Sequence, residues 1–290
     1  MTNETRISII GLPSSGKTTF LAALWHSVRE PGKMTKLAFD GLNQGNYQHL
    51  NELAKLWRAG KIQKRTQIGG AKRVSMRLKT ESSQTLDVTF PDLPGEDYDR
   101  MWERRELDKT SEESLAAPAI ALLVHGDTIR MPAWVVERMA IAKQLGMAQG
   151  EGEGNGELTE WSGALAPTQV KLVELLQMLM APPLYIGARR LAVLITAWDR
   201  VESEELSPAE LLESKLPLLF QYLRNGRDPW DWRVWGLSAQ GGVYEDPDNG
   251  DSFAETDRLR EIERPSERIK LVDGDAASSD MTIPLAWLVG

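Results

Sequence analysis

The sequence predicts an α/β fold, a doubly wound and mostly parallel sheet with one antiparallel hairpin and helical insertions. Three observations predict it. Continuous apolar runs of strand length, Ala119 to Val124 and Leu191 to Ile195, alternate with segments of helical period, the pattern of buried parallel strands joined by helical crossovers. A glycine-rich run, Gly11 to Thr18, sits between a short β-rich stretch and a helical one. Two stretches, Arg73 to Lys79 and Leu86 to Phe90, flank the polar turn Thr80 to Thr85 and predict the hairpin.

The elements follow in order. Arg6 to Ile10 reads as the first strand, and Phe20, Leu21, Leu24, Trp25 and Val28 fall on one face of the helix after the glycine run. Residues 29–46 are polar and turn-rich. Tyr47, Leu50, Ala54 and Trp57 then recur at helical spacing, with Gly60 as the stop. After the hairpin, a charged helix is predicted over about 98–115, and another over 131–149. Gly150 to Gly156 alternates Gly with Glu and Asn and reads as a surface loop. Val170 to Met180 is an apolar helix. Ser207-Pro208-Ala209-Glu210 is a capping box with Pro at the first helical position, and its helix is expected to bend at Pro217. Trp232 to Leu237 is the next strand. Residues 241–280 read as irregular apart from a short strand at Ile269 to Val272, and the chain ends on an apolar segment, Thr282 to Val289. The reading is one domain over 1–290, with insertions at about 29–60 and 128–166 and an irregular extension from about 241.

Composition narrows the function classes. The chain has 290 residues and a formal charge of -8, so no global basic field recruits nucleic acid or anionic membrane, and no direct nucleic-acid binding is expected. A local basic patch is formed by Lys61, Lys64, Arg65, Lys72 and Arg73. There are no cysteines, which removes disulfides and thiolate metal sites. His26, His49 and His125 are scattered without zinc-ligand spacing. No apolar run is long enough to span a bilayer, and no signal peptide is evident, so a cytoplasmic location is expected.

Gly11-Leu12-Pro13-Ser14-Ser15-Gly16-Lys17-Thr18 reads G-x-x-x-x-G-K-T, the P-loop pattern. Its chemistry needs a strand before it and a helix after it. Backbone N–H groups of Gly11 and of Ser14, Ser15, Gly16, Lys17, Thr18 and Thr19 would surround phosphate oxygens, with Pro13, which has no N–H, as part of the same nucleotide-binding loop, and the helix N-terminus adds a positive dipole end. Lys17 supplies charge to the β- and γ-phosphates, and the Thr18 hydroxyl can ligate Mg²⁺. Asp92-Leu93-Pro94-Gly95 is a D-x-x-G at a strand end. There Asp92 can hold Mg²⁺ through water, and the Gly95 N–H can sense a γ-phosphate. In doubly wound sheets ligands bind beyond the carboxyl ends of the strands, so these motifs and the segments at Thr196 and Ser238 are expected to meet.

This order of motifs resembles the GTPases related to translation factors and Ras, over about residues 6–240. The resemblance implies a P-loop GTPase domain binding GTP and GDP with Mg²⁺. It implies a switch I threonine before the hairpin, for which Thr66 is placed, and a switch II opened by Asp92 to Gly95. The base-reading motif departs from the usual N-K-x-D and reads Thr196-Ala197-Trp198-Asp199. Asp199 is retained to hold the guanine N1–H and amino group. Ala197 replaces the lysine, and Trp198 is either a substitute stacking face or core. Ser238-Ala239-Gln240 matches the S-A-x motif, whose backbone N–H groups contact the guanine carbonyl oxygen. Glu96 stands where small GTPases place a water-orienting glutamine, and Arg65 is the internal candidate for a compensating cation.

Within that class the chain is similar to the bacterial double-GTPase (DO-GTPase) family of conflict systems. The similarity is carried by Ile9 to Trp25, Gly45-Asn46 with the Trp57 helix, Arg65-Thr66, Pro91 to Glu96, and Met281 to Leu288. It implies a regulatory GTPase encoded beside effector or partner proteins in bacterial defence. Residues 58–70 and 95–110 are the expected switches, tied to γ-phosphate through Thr66 and Gly95 and read by a protein partner. The ionised Glu96 carboxylate cannot donate to the γ-phosphate, so intrinsic hydrolysis is expected to be slow. Two other readings stay open: a P-loop ATPase or kinase-like phosphotransferase, and a scaffold that holds nucleotide without turnover.

Overall fold

The parallel middle of the sheet is built from the strands the sequence marks most plainly. The computed structural model describes residues 5–62, 73–91, 101–132, 163–246, 248–249 and 252–290, with the backbone alone at Ala164. Its strands are β1 (Thr5–Gly11), β2 (Leu37–Gln44), β3 (Arg73–Thr80), β4 (Thr85–Pro91), β5 (Ala119–His125), β6 (Arg189–Thr196), β7 (Trp230–Ser238), β8 (Lys270–Asp273) and β9 (Ala276–Ser278). They form one sheet in the order β2-β3-β4-β1-β5-β6-β7-β8-β9. Pairing is parallel from β4 through β7 and antiparallel at both wings. The fold class is the predicted one, and the hairpin is β3–β4.

Both faces of the sheet are covered, which explains the continuous apolar runs. On β5 and β6, Ala119, Ala121, Leu123, Ala192 and Leu194 face one core, whereas Ile120, Leu122, Val124, Leu191, Val193 and Ile195 face the other. The first core receives α1 (Lys17–Ser27), α2 (Tyr47–Arg58) and α9 (Ile283–Trp287). The second receives α4 (Thr168–Leu179), α6 (Pro208–Lys215) and α7 (Pro217–Arg224). The small alanines lie on the α1 side. There Phe20 through Trp25 are all buried, so α1 is enclosed on every side and not on the single face its spacing predicts.

Other expectations are corrected. Residues 29–46 are not merely turns, because β2 adds an edge strand to β3 across two register shifts. Asp40, Gly41 and Asn43 are weak strand formers, and only Leu37 of β2 is buried, which hides the strand from pattern reading. The helix expected over 98–115 is interrupted. Residues 101–104 are helical, Arg105 takes a left-handed φ of 56°, and α3 (Lys109–Leu115) starts afresh on Asp108, whose carboxylate accepts from the Thr110 and Ser111 N–H groups. The expected bend at Pro217 is a break. Leu216 sits at φ -132° and ψ 52°, because the proline ring excludes a helical residue before it, so α6 and α7 are separate. The Ser207–Glu210 capping box forms as read. The helix expected over 131–149 and the Gly150 to Gly156 loop lie outside the described residues.

Residues 241–280 hold more structure than their polarity announces. They contain α8 (Ala254–Glu261), a 3-10 turn at Pro265–Arg268, β8 and β9. This segment is stitched to the end of α2. Glu245 donates its N–H to Gly60 O at 2.9 Å and accepts from the Ile62 N–H at 2.8 Å. Arg260 donates to Ala59 O at 2.9 Å and pairs with Glu245. Among the described residues no helix is long and apolar enough to cross a membrane.

Candidate functional site

The glycine loop emerges from the carboxyl end of β1, between β4 and β5. Gly11 is required there. A Cβ on it would lie 2.4 Å from Ser15 Oγ and 2.6 Å from the Leu123 carbonyl oxygen of β5. The loop turns through left-handed Ser14 (φ 63°) and Gly16 (φ 85°), and Ser15 N–H donates to Leu12 O at 3.1 Å. Gly16 is the N-cap of α1, so the helix's first N–H groups open onto the loop. The Lys17 ammonium donates to Gly11 O at 2.6 Å and Leu12 O at 2.9 Å, which lays its side chain along the loop. Loop and lysine together are an anion cradle of backbone donors with one cation.

The segments at Thr196 and Ser238 arrive at the same edge. Thr196 ends β6, and its hydroxyl donates to Ser15 O at 2.9 Å, tying the second motif to the first. Its carbonyl accepts from the Gly126 N–H at 2.9 Å. Ala197 is left-handed (φ 52°, ψ 42°) and turns the chain into α5 (Trp198–Val201). Trp198 is 2% exposed and lies flat on β7, where a Cβ on Gly236 would meet its ring at 2.3 Å. Of the two readings of Trp198, core is the correct one, and it is not a stacking face.

Asp199 is reached by the last residue of β7. The Ser238 hydroxyl donates to Asp199 Oδ1 and accepts from the Gly241 N–H at 3.0 Å. Arg200 Nε lies 4.0 Å from the other oxygen of Asp199. The Ala239 carbonyl accepts from the indole N–H of Trp57 at 2.8 Å, and the Gln240 side chain bridges Thr19 Oγ1 (3.5 Å) and Gly242 O (3.3 Å). His125 ends β5 beside this cluster. Burial pushes its pKa below the ordinary imidazole value, partly offset by the Asp127 and Asp199 carboxylates. Gly11 to Thr19, Thr196, Asp199 and Ser238 to Gln240 therefore lie along one edge of the sheet. Arg65, Thr66, Asp92, Gly95 and Glu96 lie outside the described residues.

The pattern of the Double-GTPase 1 family matches residues 8–288, nearly the whole chain. The chain belongs to the Double-GTPase 1 family. As a double-GTPase it has a P-loop, GTP-binding fold. No curated protein matches it. Among solved structures it is similar to a GTP-binding protein from the hyperthermophilic archaeon Sulfolobus solfataricus in complex with GDP, at 12% identity over 81% of this chain and 47% of that one, with a TM-score of 0.35. It is similar to the signal recognition particle receptor SRb-GTP/SRX complex from Chaetomium thermophilum, at 12% identity over 85% and 94% of the two chains, TM-score 0.37. A third is the Saccharomyces cerevisiae Ski7 GTPase-like domain bound to GDP and inorganic phosphate, at 12% identity over 89% and 48%, TM-score 0.39. The chain spans about half the length of the first and third. Likeness at this level transfers no residue's role to the double-GTPase.

Two contributors to this edge were not singled out by the motifs. Trp57 reads as a packing residue of α2, and nothing in its spacing announces the bond to Ala239. Gly236 reads as an ordinary strand glycine. Its signal is the tryptophan at 198, whose ring needs a bare strand to lie on.

Proposed function

We propose that the chain is a Mg²⁺-dependent GTP-binding switch that hydrolyses GTP slowly, and that a protein partner reads its nucleotide state in a bacterial conflict or defence system. The observation that carries this reading is the convergence of the phosphate cradle and the Asp199–Ser238 pair, joined by the Thr196–Ser15 bond. Family membership supplies the nucleotide class. In this reading Lys17 neutralises the β- and γ-phosphates, Asp199 takes the guanine N1–H and amino group, and the N–H groups following Ser238 take the guanine carbonyl oxygen. The chain acts as one GTPase domain, with its additions around a single sheet.

The donor set suits Mg²⁺. Thr18 offers a hard hydroxyl oxygen in the first turn of α1, and among the described residues no cluster of three His, Cys, Asp or Glu could hold a metal by itself. An ion that brings phosphate oxygens as its main ligands fits such a site. Thr18 would hold it, with Thr66 and Asp92 proposed to complete the shell. When bound, the ion neutralises charge on the β- and γ-phosphates. Glu96 is proposed to orient water and Arg65 to offset its charge. A carboxylate cannot donate to the γ-phosphate, which is why turnover is proposed to be slow.

One observation favours a second reading, adenine-nucleotide hydrolysis or transfer: with Ala197 in the lysine position and Trp198 buried, neither residue can stack on a base. Competition decides between them. GTP is expected to displace a fluorescent GDP from the full chain at concentrations where ATP does not, and displacement by ATP as effective as by GTP would sink the GTP reading. Multiple-turnover phosphate release then separates a hydrolase from a scaffold.

A further inference from the structure

Trp57 is far from the loop in sequence, yet it holds the base-side motif from beneath. It is fully buried, near the end of α2. Its ring is fixed on two sides. The His26 ring packs against it at 5.1 Å between centroids, and the Arg268 guanidinium lies 5.7 Å from its centre. Arg268 also donates to Arg58 O at 3.0 Å, so the backbone that carries Trp57 is pinned as well. An indole N–H is a donor only, and here its acceptor is the Ala239 carbonyl at 2.8 Å.

That acceptor belongs to the middle residue of Ser238-Ala239-Gln240. Ala239 has no polar side chain of its own, and its neighbours are held through theirs, Ser238 by Asp199 and Gln240 by Thr19. The peptide between Ala239 and Gln240 is trans and planar, so fixing its C=O fixes the plane and sends the Gln240 N–H in the opposite direction. We infer that Trp57 is a positioning residue for guanine recognition: its indole N–H sets the plane of the Ala239–Gln240 peptide, and with it the Gln240 N–H proposed to read the guanine carbonyl oxygen. The inference rests on the guanine reading above. It assigns part of the base specificity to a side chain on α2 that does not touch the base.

The test is a cycle of two proteins and two ligands, the full parent chain and Trp57→Phe, each titrated with GDP and with 6-thioguanosine 5′-diphosphate. The thio analogue keeps the N1–H and the amino group and changes only the acceptor atom at position 6. Trp57→Phe keeps an aromatic ring in the core and deletes the donor. Loss of one buried neutral hydrogen bond predicts a GDP affinity lower by about fivefold to tenfold. Because the loss acts through the carbonyl contact, it should shrink to under about twofold with the thio analogue. Equal losses on both ligands would show a merely structural tryptophan and overturn the inference. A parent that binds ADP as tightly as GDP would overturn the guanine reading itself, and the inference with it. Should Trp57→Phe not fold, the parent labelled with ¹⁵N-tryptophan replaces it, with the Trp57 indole resonance assigned through its contact with His26. That resonance is expected to move further with GDP than with the thio analogue, and equal movement overturns the inference.

Discussion

The two ends of this sheet edge, one proposed to hold phosphate and the other a base, are built in opposite ways. The end proposed to hold phosphate is local: eight consecutive residues, Gly11 to Thr18, supply the turn, the left-handed positions and the lysine, and the bonds from Ser15 N–H to Leu12 O and from Lys17 to Gly11 O and Leu12 O stay within the loop. The end proposed to meet the base is assembled from three distant segments, with Thr196 and Asp199 from one, Ser238 from a second and Trp57 from a third, meeting through side-chain bonds. A local site tolerates change elsewhere in the chain but little within itself. An assembled site distributes its sensitivity over residues that never approach a ligand.

The largest effect should come from breaking the local end. Gly11→Ala places a methyl against a β5 carbonyl at 2.6 Å, a backbone atom that cannot swing aside. Overpacking of this kind costs about 1–3 kcal/mol of stability, and the loop must shift to relieve it. Triphosphate binding should be lost beyond roughly a hundredfold, equivalent to about 2.7 kcal/mol. Isothermal titration alongside a urea melt checks both, and a variant that binds GTP like its parent would show that the cradle is not where the phosphates sit.

Next in size is the bond that joins the two ends. Thr196→Val keeps the shape and removes the donor to Ser15 O. The net value of such a bond is about 1 kcal/mol, or roughly fivefold in affinity. If the bond couples the ends, GTP and GDP should weaken together, because both share the loop and the base. Inorganic triphosphate, which lacks a base, should weaken by the same factor. Competition against labelled GDP measures all three, and a loss confined to the nucleosides would place Thr196 at the base alone.

The smallest expected effect is a pH dependence beneath the base end. Burial lowers the pKa of His26, while Glu30 at 3.1 Å pulls the other way and Arg58 and Lys33 add to the lowering. The unfolded chain therefore binds the proton more readily than the folded one, and stability should fall as pH drops below about 6.5. The slope attributable to His26 is at most about 1.4 kcal/mol per pH unit, and His26→Gln should flatten it. Urea unfolding at pH 7 and pH 5.5 checks the slope. An unchanged slope in the variant would assign the decline to other groups.

The same contrast explains what the sequence makes legible. Gly11 to Thr18 and the apolar runs of β5 and β6 are readable because their causes are local: backbone conformation in one case, burial on both faces in the other. The Ser207 cap and the effect of Pro217 are equally local, although the proline divides the helix where a bend is expected. The edge strand β2 escapes because its support comes from β3 and not from its own residues. The fate of Trp198 and the bond from Trp57 escape for the same reason, since each depends on a strand more than thirty residues away. Thr196 is read as a nucleotide contact from its motif, and in the fold its hydroxyl is engaged by Ser15.

The Trp57–Ala239 bond also has a consequence in time. Its partners are 182 residues apart in the chain. At ribosomal rates of about 5–20 residues per second, the indole is made about 10–40 s before its acceptor exists. The P-loop and α1 are already synthesised by then, but β5, β6 and β7 must be added before the sheet edge is whole. A nascent chain halted before residue 239 thus carries the P-loop without the segment proposed to choose a base. Selectivity would be acquired only once residue 239 has been added.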